Sequence, residues 1–426
     1  MTLVLLGSFF GLLLFNIPVA ASMGLSAALG MLYGGYPLSV FPSIMYAAIA
    51  RYTLLAIPFF VLAGVIMDYA GISRRLMLFA QACVGHRRGG LAIVTVVVAC
   101  FFAAISGSGP ATVAALGGVL IPAMTNAGYK KNFSSALLAS AGGIGMVIPP
   151  SIPFVVYAML AEVSVGTMFI AGILPGLLMG LAYLLAALLM LRDDKDIKIL
   201  PKASWRERWT TFKDAFWGLM TPVIILGGIY GGVFTPTEAA GVAVVYGLFV
   251  GVFIYREIKL RKLLELFVSS AVTSSIVMFI MGCAGAFTWV LSSSGTAAEL
   301  SAALLSLSSN KYILLLVMNI IFLIAGCFVD SVSGFYIFLP ILLPIVRSMG
   351  FSVYAFGVLM TANFAVGQVT PPVGSNLFVA VSIAKITMKE ILQKMGPFIV
   401  AGIVSLLLLT YVPQIITILP TLMGLK

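Results

Sequence analysis

The chain has very little charge. Asp, Glu, Lys and Arg make up 9% of its 426 residues, against roughly a quarter in soluble domains. With a mean hydropathy of +1.16, a water-soluble fold is excluded, and so are disorder, collagen and coiled coil. Histidine is almost missing: His86 stands alone, which rules out a multi-histidine metal centre and argues against a triad hydrolase. Cys83, Cys100, Cys283 and Cys327 lie in apolar runs without a C-x-x-C spacing, so neither a zinc cluster nor a disulfide framework is expected. No G-x-x-x-x-G-K-[ST] motif occurs, so ATP is not bound through a P-loop. The first apolar segment, Thr2 to Asn16, lacks a basic leader, and no cleaved signal peptide is expected.

What the chain does have is long apolar runs. At 62% hydrophobic residues, and about 20 apolar residues per spanning helix, it holds ten or more passes. Passes are expected near 2–18, 20–35, 41–70, 132–161 and 166–191. A second set is expected near 217–234, 236–255, 263–291, 352–385 and 397–424. An uncharged run, 89–129, and an apolar run, 312–346, which carries Asp330 at its middle, are interrupted by polar residues and return to the side they left. The expected fold is an all-α polytopic membrane protein.

The net charge of +11 reads as orientation rather than as a nucleic-acid site. Of 24 Lys and Arg residues, seven fall between Arg192 and Lys213, and others cluster in short loops such as Arg74-Arg75, Arg87-Arg88 and Lys130-Lys131. With 192–216 in the cytoplasm, only Arg51, Lys311, Arg347 and Lys426 lie outside. This is the positive-inside pattern, and it places both termini in the periplasm. Trp205, Trp209 and Trp217 flank the basic stretch and suit an interfacial helix or membrane-edge anchor.

The two halves match in one ungapped register. Pro122 and Pro344, Pro149 and Pro371, Pro150 and Pro372, and Pro175 and Pro397 are each 222 residues apart. Gly128 and Gly350, and Gly145 and Gly367, share that separation. Five crossings per half is an odd number, so the second half is inverted relative to the first. Inverted repeats with interrupted helices mark secondary transporters.

The interruptions come in symmetric pairs: Ser106–Pro110 with Asp330–Gly334, and Gly145–Pro153 with Gly367–Asn376. In hydrocarbon such backbone survives only inside protein or along a wet cavity. Freed carbonyls, with Ser, Thr and Asn oxygens, suit a hard cation such as sodium, and the helix N-termini beyond favour an anion. Asp330 lies 19 residues after Lys311 and 17 before Arg347. A carboxylate at mid-bilayer costs about 2.5–3.5 kcal/mol, so it is expected to face the interior and bind a cation, bind a substrate hydroxyl or carry a proton. The competing reading makes 312–346 two full crossings with Asp330 in an external loop. Asp68 and Glu238 fall near pass ends and read as interfacial.

The segments Ser106-Gly107-Ser108-Gly109-Pro110-Ala111-Thr112, Met146-Val147-Ile148-Pro149-Pro150-Ser151 and Gly367-Gln368-Val369-Thr370-Pro371-Pro372-Val373-Gly374-Ser375-Asn376 resemble the large membrane subunit of tripartite ATP-independent periplasmic (TRAP) transporters. The resemblance runs end to end. It implies an elevator-type sodium symporter for organic acid anions, in the bacterial inner membrane, and no enzyme. It also implies a scaffold from 1–70 and 217–294, arm helices at 71–88 and 295–310, and a cytoplasmic loop at 192–216. The transport domain would comprise 89–191 and 311–426, with hairpins 89–129 and 312–346.

On the same resemblance two or more sodium ions would be held by Ser106, Gly107, Ser108, Gly145, Val147, Pro149, Ser151, Asp330, Gly367, Thr370 and Pro371. Substrate would contact Ser108, Ser151, Asp330, Ser333 and Asn376. The implied partners are a small membrane (Q) subunit and a soluble periplasmic substrate-binding protein, within the lipid bilayer and with no nucleic acid. Sialic acid is favoured over a C4-dicarboxylate, because the centre keeps a carboxylate and hydroxyls but few basic residues. A stand-alone sodium/anion symporter and an ion channel are the alternatives.

Overall fold

The computed structural model describes residues 1–192, 197–308 and 310–425, and among these every regular element is helical. The first half contains α1 (Thr2–Leu14), α2 (Val19–Tyr33), α3 (Phe41–Ile49), α4 (Ala56–Tyr69) and α5 (Ile72–Val84). It continues with α6 (Gly90–Ser106), α7 (Gly109–Asn126), α8 (Lys131–Gly143), α9 (Ile152–Ala161) and α10 (Val165–Met190). The second half contains α11 (Trp205–Tyr230), α12 (Pro236–Phe249), α13 (Leu260–Ser293), α14 (Thr296–Leu307) and α15 (Lys311–Gly326). It ends with α16 (Ser331–Ser348), α17 (Val353–Gly367), α18 (Ser375–Ala384), α19 (Met388–Tyr411) and α20 (Gln414–Leu422). Seven helical segments among the described residues are long and apolar enough to cross a membrane.

The repeat is visible in backbone detail. Pro149-Pro150 and Pro371-Pro372 are both cis. Each pair interrupts a membrane pass, between α8 and α9 and between α17 and α18. The short helices α9 and α18 both end on a left-handed non-glycine residue, Glu162 and Lys385. Hydroxyl caps then start the next helices: Ser164 for α10 and Thr387 for α19. A side-chain oxygen there takes up one of the helix's unpaired N–H groups, worth about 1 kcal/mol.

One expectation about extents needs correction. The pass expected over 41–70 is broken, because Arg51 is extended and a 3₁₀ turn, Tyr52–Leu55, precedes α4. Proline cannot donate to the carbonyl four residues back and clashes with it inside a helix. Starting α4 at Ala56 puts Pro58 in the first turn, where no such bond is needed. The equivalent position in the second half is Ile280, and α13 runs unbroken for 34 residues. A helix also begins inside the stretch 192–216. Its final residues are helical, since Ser204 and Glu207 form a capping box that starts α11 at Trp205. Thr235 and Glu238 start α12 in the same way.

The packing crosses the halves over. Helices α6 and α7 form one hairpin and α15 and α16 the other. The second arm of the first hairpin, α7, packs on α18 from the second half, while α16 packs on α9 from the first. Buried aromatics fix this exchange: Tyr157 of α9 meets Phe335 of α16 with ring centroids 5.6 Å apart, and Phe335 meets Phe364 of α17 at 5.9 Å. Such rings add stabilisation beyond their buried area. Outside this centre, α4 packs on α12 and α13, and α13 on α2 and α3.

Candidate functional site

The first hairpin turns in two residues. Gly107 takes φ +61°, and Ser108 becomes the N-cap residue of α7. The Ser108 side chain does not cap the helix; its carbonyl accepts from the Thr112 hydroxyl at 2.8 Å. The Ser106 and Thr112 hydroxyls lie 2.7 Å apart, and both residues are buried. The tip is fastened to the α8–α9 interruption, because the Ile152 N–H donates to the Gly107 carbonyl at 3.2 Å. A Cβ on Gly107 would stand 2.8 Å from the Pro150 carbonyl, and one on Gly145 would stand 2.6 Å from Thr112 Oγ1 and 3.0 Å from the Ser108 carbonyl. Glycine at both positions is a requirement of close approach. The result is a compact group of neutral oxygens, two hydroxyls with the Ser108 carbonyl, with the Pro150 carbonyl against Gly107. Ser151 is fully buried beside it, donating to the Met146 carbonyl at 2.5 Å and capping α9 through Phe154 N–H.

The second hairpin turns in the same register with different chemistry. Asp330, 222 residues after Ser108, is the N-cap residue of α16. Its Oδ2 accepts from the Val332 N–H at 2.9 Å and the Ser333 N–H at 3.3 Å, and its Oδ1 from the Ser333 hydroxyl at 2.5 Å. Three donors and the helix N-terminus satisfy this carboxylate, a placement the helix dipole favours. The tip fastens to the α17–α18 interruption through the Gly374 N–H, which donates to the Cys327 carbonyl at 3.3 Å. Beneath it α15 and α17 touch backbone to backbone: a Cβ on Gly367 would stand 2.6 Å from Gly326 Cα. Asp330 therefore belongs to a tight hairpin tip packed against an interrupted helix.

One contact joins the two groups. At the first turn of α7, Gly109 leaves room for the side chains of Gln368 and Asn376; a Cβ there would stand 2.9 Å from Gln368 Oε1 and 3.0 Å from Asn376 Oδ1. Asn376 Nδ2 donates to the Ala139 carbonyl at 3.2 Å, so the residue bridges α18 to α8. Both amide oxygens are buried and accept no hydrogen bond from the described residues, so each can serve as an acceptor for a donor or a cation.

Ser106, Gly107, Ser108, Gly145, Pro149 and Ser151 thus fall around the first tip. Asp330, Ser333, Gly367, Thr370 and Pro371 fall around the second, and Asn376 lies between. Val147 sits apart from the tip oxygens in one respect: its carbonyl is against Gly172 of α10. Thr370 turns its hydroxyl back to the Val366 carbonyl at 2.8 Å. Thr112 and Gln368 were not expected. The signal for Thr112 was its position four residues after Ser108, where a helical hydroxyl reaches back to the carbonyl. Gln368 has no such local signal, because its neighbour Gly109 comes from the other half of the chain.

A polytopic helical protein with inverted halves and paired hairpin tips at interrupted helices is a membrane transporter by its architecture. The model of the Tripartite ATP-independent periplasmic transporter DctM component matches residues 6–415. The chain belongs to this family: it is a transporter permease subunit and not an enzyme.

Among its relatives is the C4-dicarboxylate TRAP transporter large permease protein DctM of Pseudomonas aeruginosa, 40% identical over 95% of both chains. The sialic acid large permease SiaM of Vibrio cholerae is 34% identical over 98% of this chain and 99% of that one. The isethionate permease protein DctMQ of Oleidesulfovibrio alaskensis is 42% identical over 97% of this chain, which spans 65% of that longer protein. Among solved structures, the YdaH transporter of Alcanivorax borkumensis has the same fold, with a TM-score of 0.62 over 88% of this chain and 87% of that one at 16% identity.

Proposed function

We propose that this subunit imports a small organic acid anion by sodium symport, with the two hairpin tips forming the coupled site. The single observation that carries this reading is the paired tips. Ser108 and Asp330 occupy equivalent N-cap positions, each at a tip fastened to an interrupted helix. The Ser106, Thr112, Ser108 and Pro150 oxygens would hold one sodium ion, and the Asp330 side, with the Gly367–Pro371 backbone, a second. The anion would sit between Ser108, Ser151, Asp330, Ser333 and Asn376, and Gln368 joins that group.

Energy balance supports more than one ion. Carrying a charge through 100 mV is worth about 2.3 kcal/mol, and a tenfold gradient adds roughly 1.4 kcal/mol. To travel with net positive charge into an inside-negative cell, a monoanion needs at least two sodium ions and a dianion at least three.

In this proposal α6–α10 and α15–α20 move as an elevator against the other passes, with α5 and α14 as arms. The loop after α10 is cytoplasmic and both termini are periplasmic, in the bacterial inner membrane. A small membrane subunit and a periplasmic binding protein complete the system, a reading to which the name DctMQ lends support. The relatives at 40–42% identity are named for isethionate and C4-dicarboxylates, and the sialic acid relative stands at 34%. We therefore place a small sulfonate or dicarboxylate first among substrates and sialic acid after it.

The test is uptake of radiolabelled isethionate, malate and sialic acid into proteoliposomes holding this subunit and its small partner. Sodium is imposed outside, and the binding protein is added or withheld. Uptake of one solute that needs both sodium and the binding protein is expected. Sodium-driven uptake without the binding protein would point to a stand-alone symporter, and current far above carrier rates to a channel.

A further inference from the structure

We propose that a groove at one end of α10 binds the headgroup of an anionic phospholipid, a site independent of the transported solute. The groove encloses about 280 Å³ and is lined by Leu185, Leu188, Leu189 and Leu191 of the α10 end, by Gly89, and by Arg88 and Arg192. It carries no carboxylate among its described residues. Leu185 and Leu189 are 52% and 71% exposed, which in a bilayer means facing acyl chains. Both arginines are exposed at the polar end of the same groove. Arg88 is held across it, one guanidinium nitrogen donating to the Arg192 carbonyl at 2.5 Å. That bond uses one of five N–H donors and leaves the rest for a phosphate.

The floor is backbone. Gly89 has φ +71°, and a Cβ there would stand 2.7 Å from Leu188 Cδ2, so a side chain would fill the groove. Gly89 is also the N-cap of α6, a helix with no side-chain cap and no acid in its first turn. Its positive end adds to the two guanidinium groups. An apolar wall with a cationic mouth at the membrane boundary is the chemistry that takes a phospholipid, tail against leucine and phosphate against arginine. The groove joins the base of the first hairpin to α10, just beyond the end of α5, so an occupying lipid would bear on the elements proposed to move.

The test uses the full chain in detergent, with native mass spectrometry reading retained lipid. The probes are dioleoylphosphatidylglycerol, dioleoylphosphatidylcholine and inorganic phosphate. The intact protein is expected to prefer the anionic lipid by about tenfold or more. The double variant Arg88→Gln/Arg192→Gln should bring that preference within about twofold, while Arg206→Gln on α11 should leave it intact. Leu185→Trp keeps the charges and obstructs the wall, and should also weaken retention of the anionic lipid. In sequence Arg192 is followed by Asp193, Asp194 and Asp196, which lie outside the described residues. If the arginines serve those aspartates instead, the double variant will keep the full lipid preference, and that result overturns the proposal. Equal retention of both lipids, or displacement of the lipid by inorganic phosphate, would overturn it too.

Discussion

The two hairpin tips share a backbone plan and differ in chemistry and burial. Around the first, Ser106 and Thr112 are buried, and so are Pro149, Pro150 and Ser151. Around the second, Pro371 and Pro372 are exposed and Asp330 is half-buried. The positions equivalent to Ser106 and Thr112 are Phe328, which is 52% exposed, and Gly334, which lies against the Phe364 ring. A fully buried carboxylate without a counter-charge is costly, whereas neutral oxygens in a tight group are tolerated when they pair with one another. The carboxylate stands at the less buried tip, where three donors satisfy it. One repeat thus supplies two cradles, one neutral and closed, the other charged and partly open.

The comparison can be broken most severely at Gly145. A methyl group there meets Thr112 Oγ1 and the Ser108 carbonyl at 2.6 and 3.0 Å. Gly145→Ala should destabilise the protein by about 1–3 kcal/mol and abolish uptake while membrane insertion persists; thermal unfolding and solute uptake check the two parts. Asp330→Asn comes next. Asparagine caps a helix about as well as aspartate, so stability should change by less than about 1 kcal/mol, yet uptake should fall about tenfold with the lost charge. Unchanged uptake would remove Asp330 from the site.

Thr112→Val sharpens the contrast from the neutral side. Losing one hydroxyl is worth about 0.5–1.5 kcal/mol, so the sodium concentration for half-maximal uptake should rise about three- to tenfold, and Thr112→Ser should restore it. The smallest effect is expected at Thr370, whose hydroxyl is already spent on the Val366 carbonyl. Thr370→Val should alter sodium dependence by about twofold or less. A larger shift would mean that this hydroxyl turns to the ion during transport.

Much of this was legible in the linear sequence. The paired prolines and glycines gave the repeat, and the Ser-Gly-Ser-Gly-Pro and Asp-Ser-Val-Ser-Gly segments gave both tips, because each is a local departure from an apolar run. The break before α4 was hidden: Pro58 signals a helix start only once the competing continuous pass is set aside. The tryptophans beside the basic stretch already suited a helix, and the start of α11 was readable from Ser204 and Glu207. Asn376 was named for the centre, but the approach of Gln368 to Gly109 was unreadable, since it depends on α7 packing across the repeat onto α18. The chain Asn363–Asn319–Thr410, bonded at 2.9 and 2.7 Å inside the second half, has no counterpart in the first and no sequence signal either.

The most direct test of the coupled-tip account is a paired flux measurement. Labelled sodium and the labelled anion would be followed into the same vesicles, with the small subunit and binding protein present. The account predicts at least two sodium ions entering per anion, with both fluxes reduced together by Thr112→Val. Anion uptake that proceeds undiminished when potassium replaces sodium would contradict it.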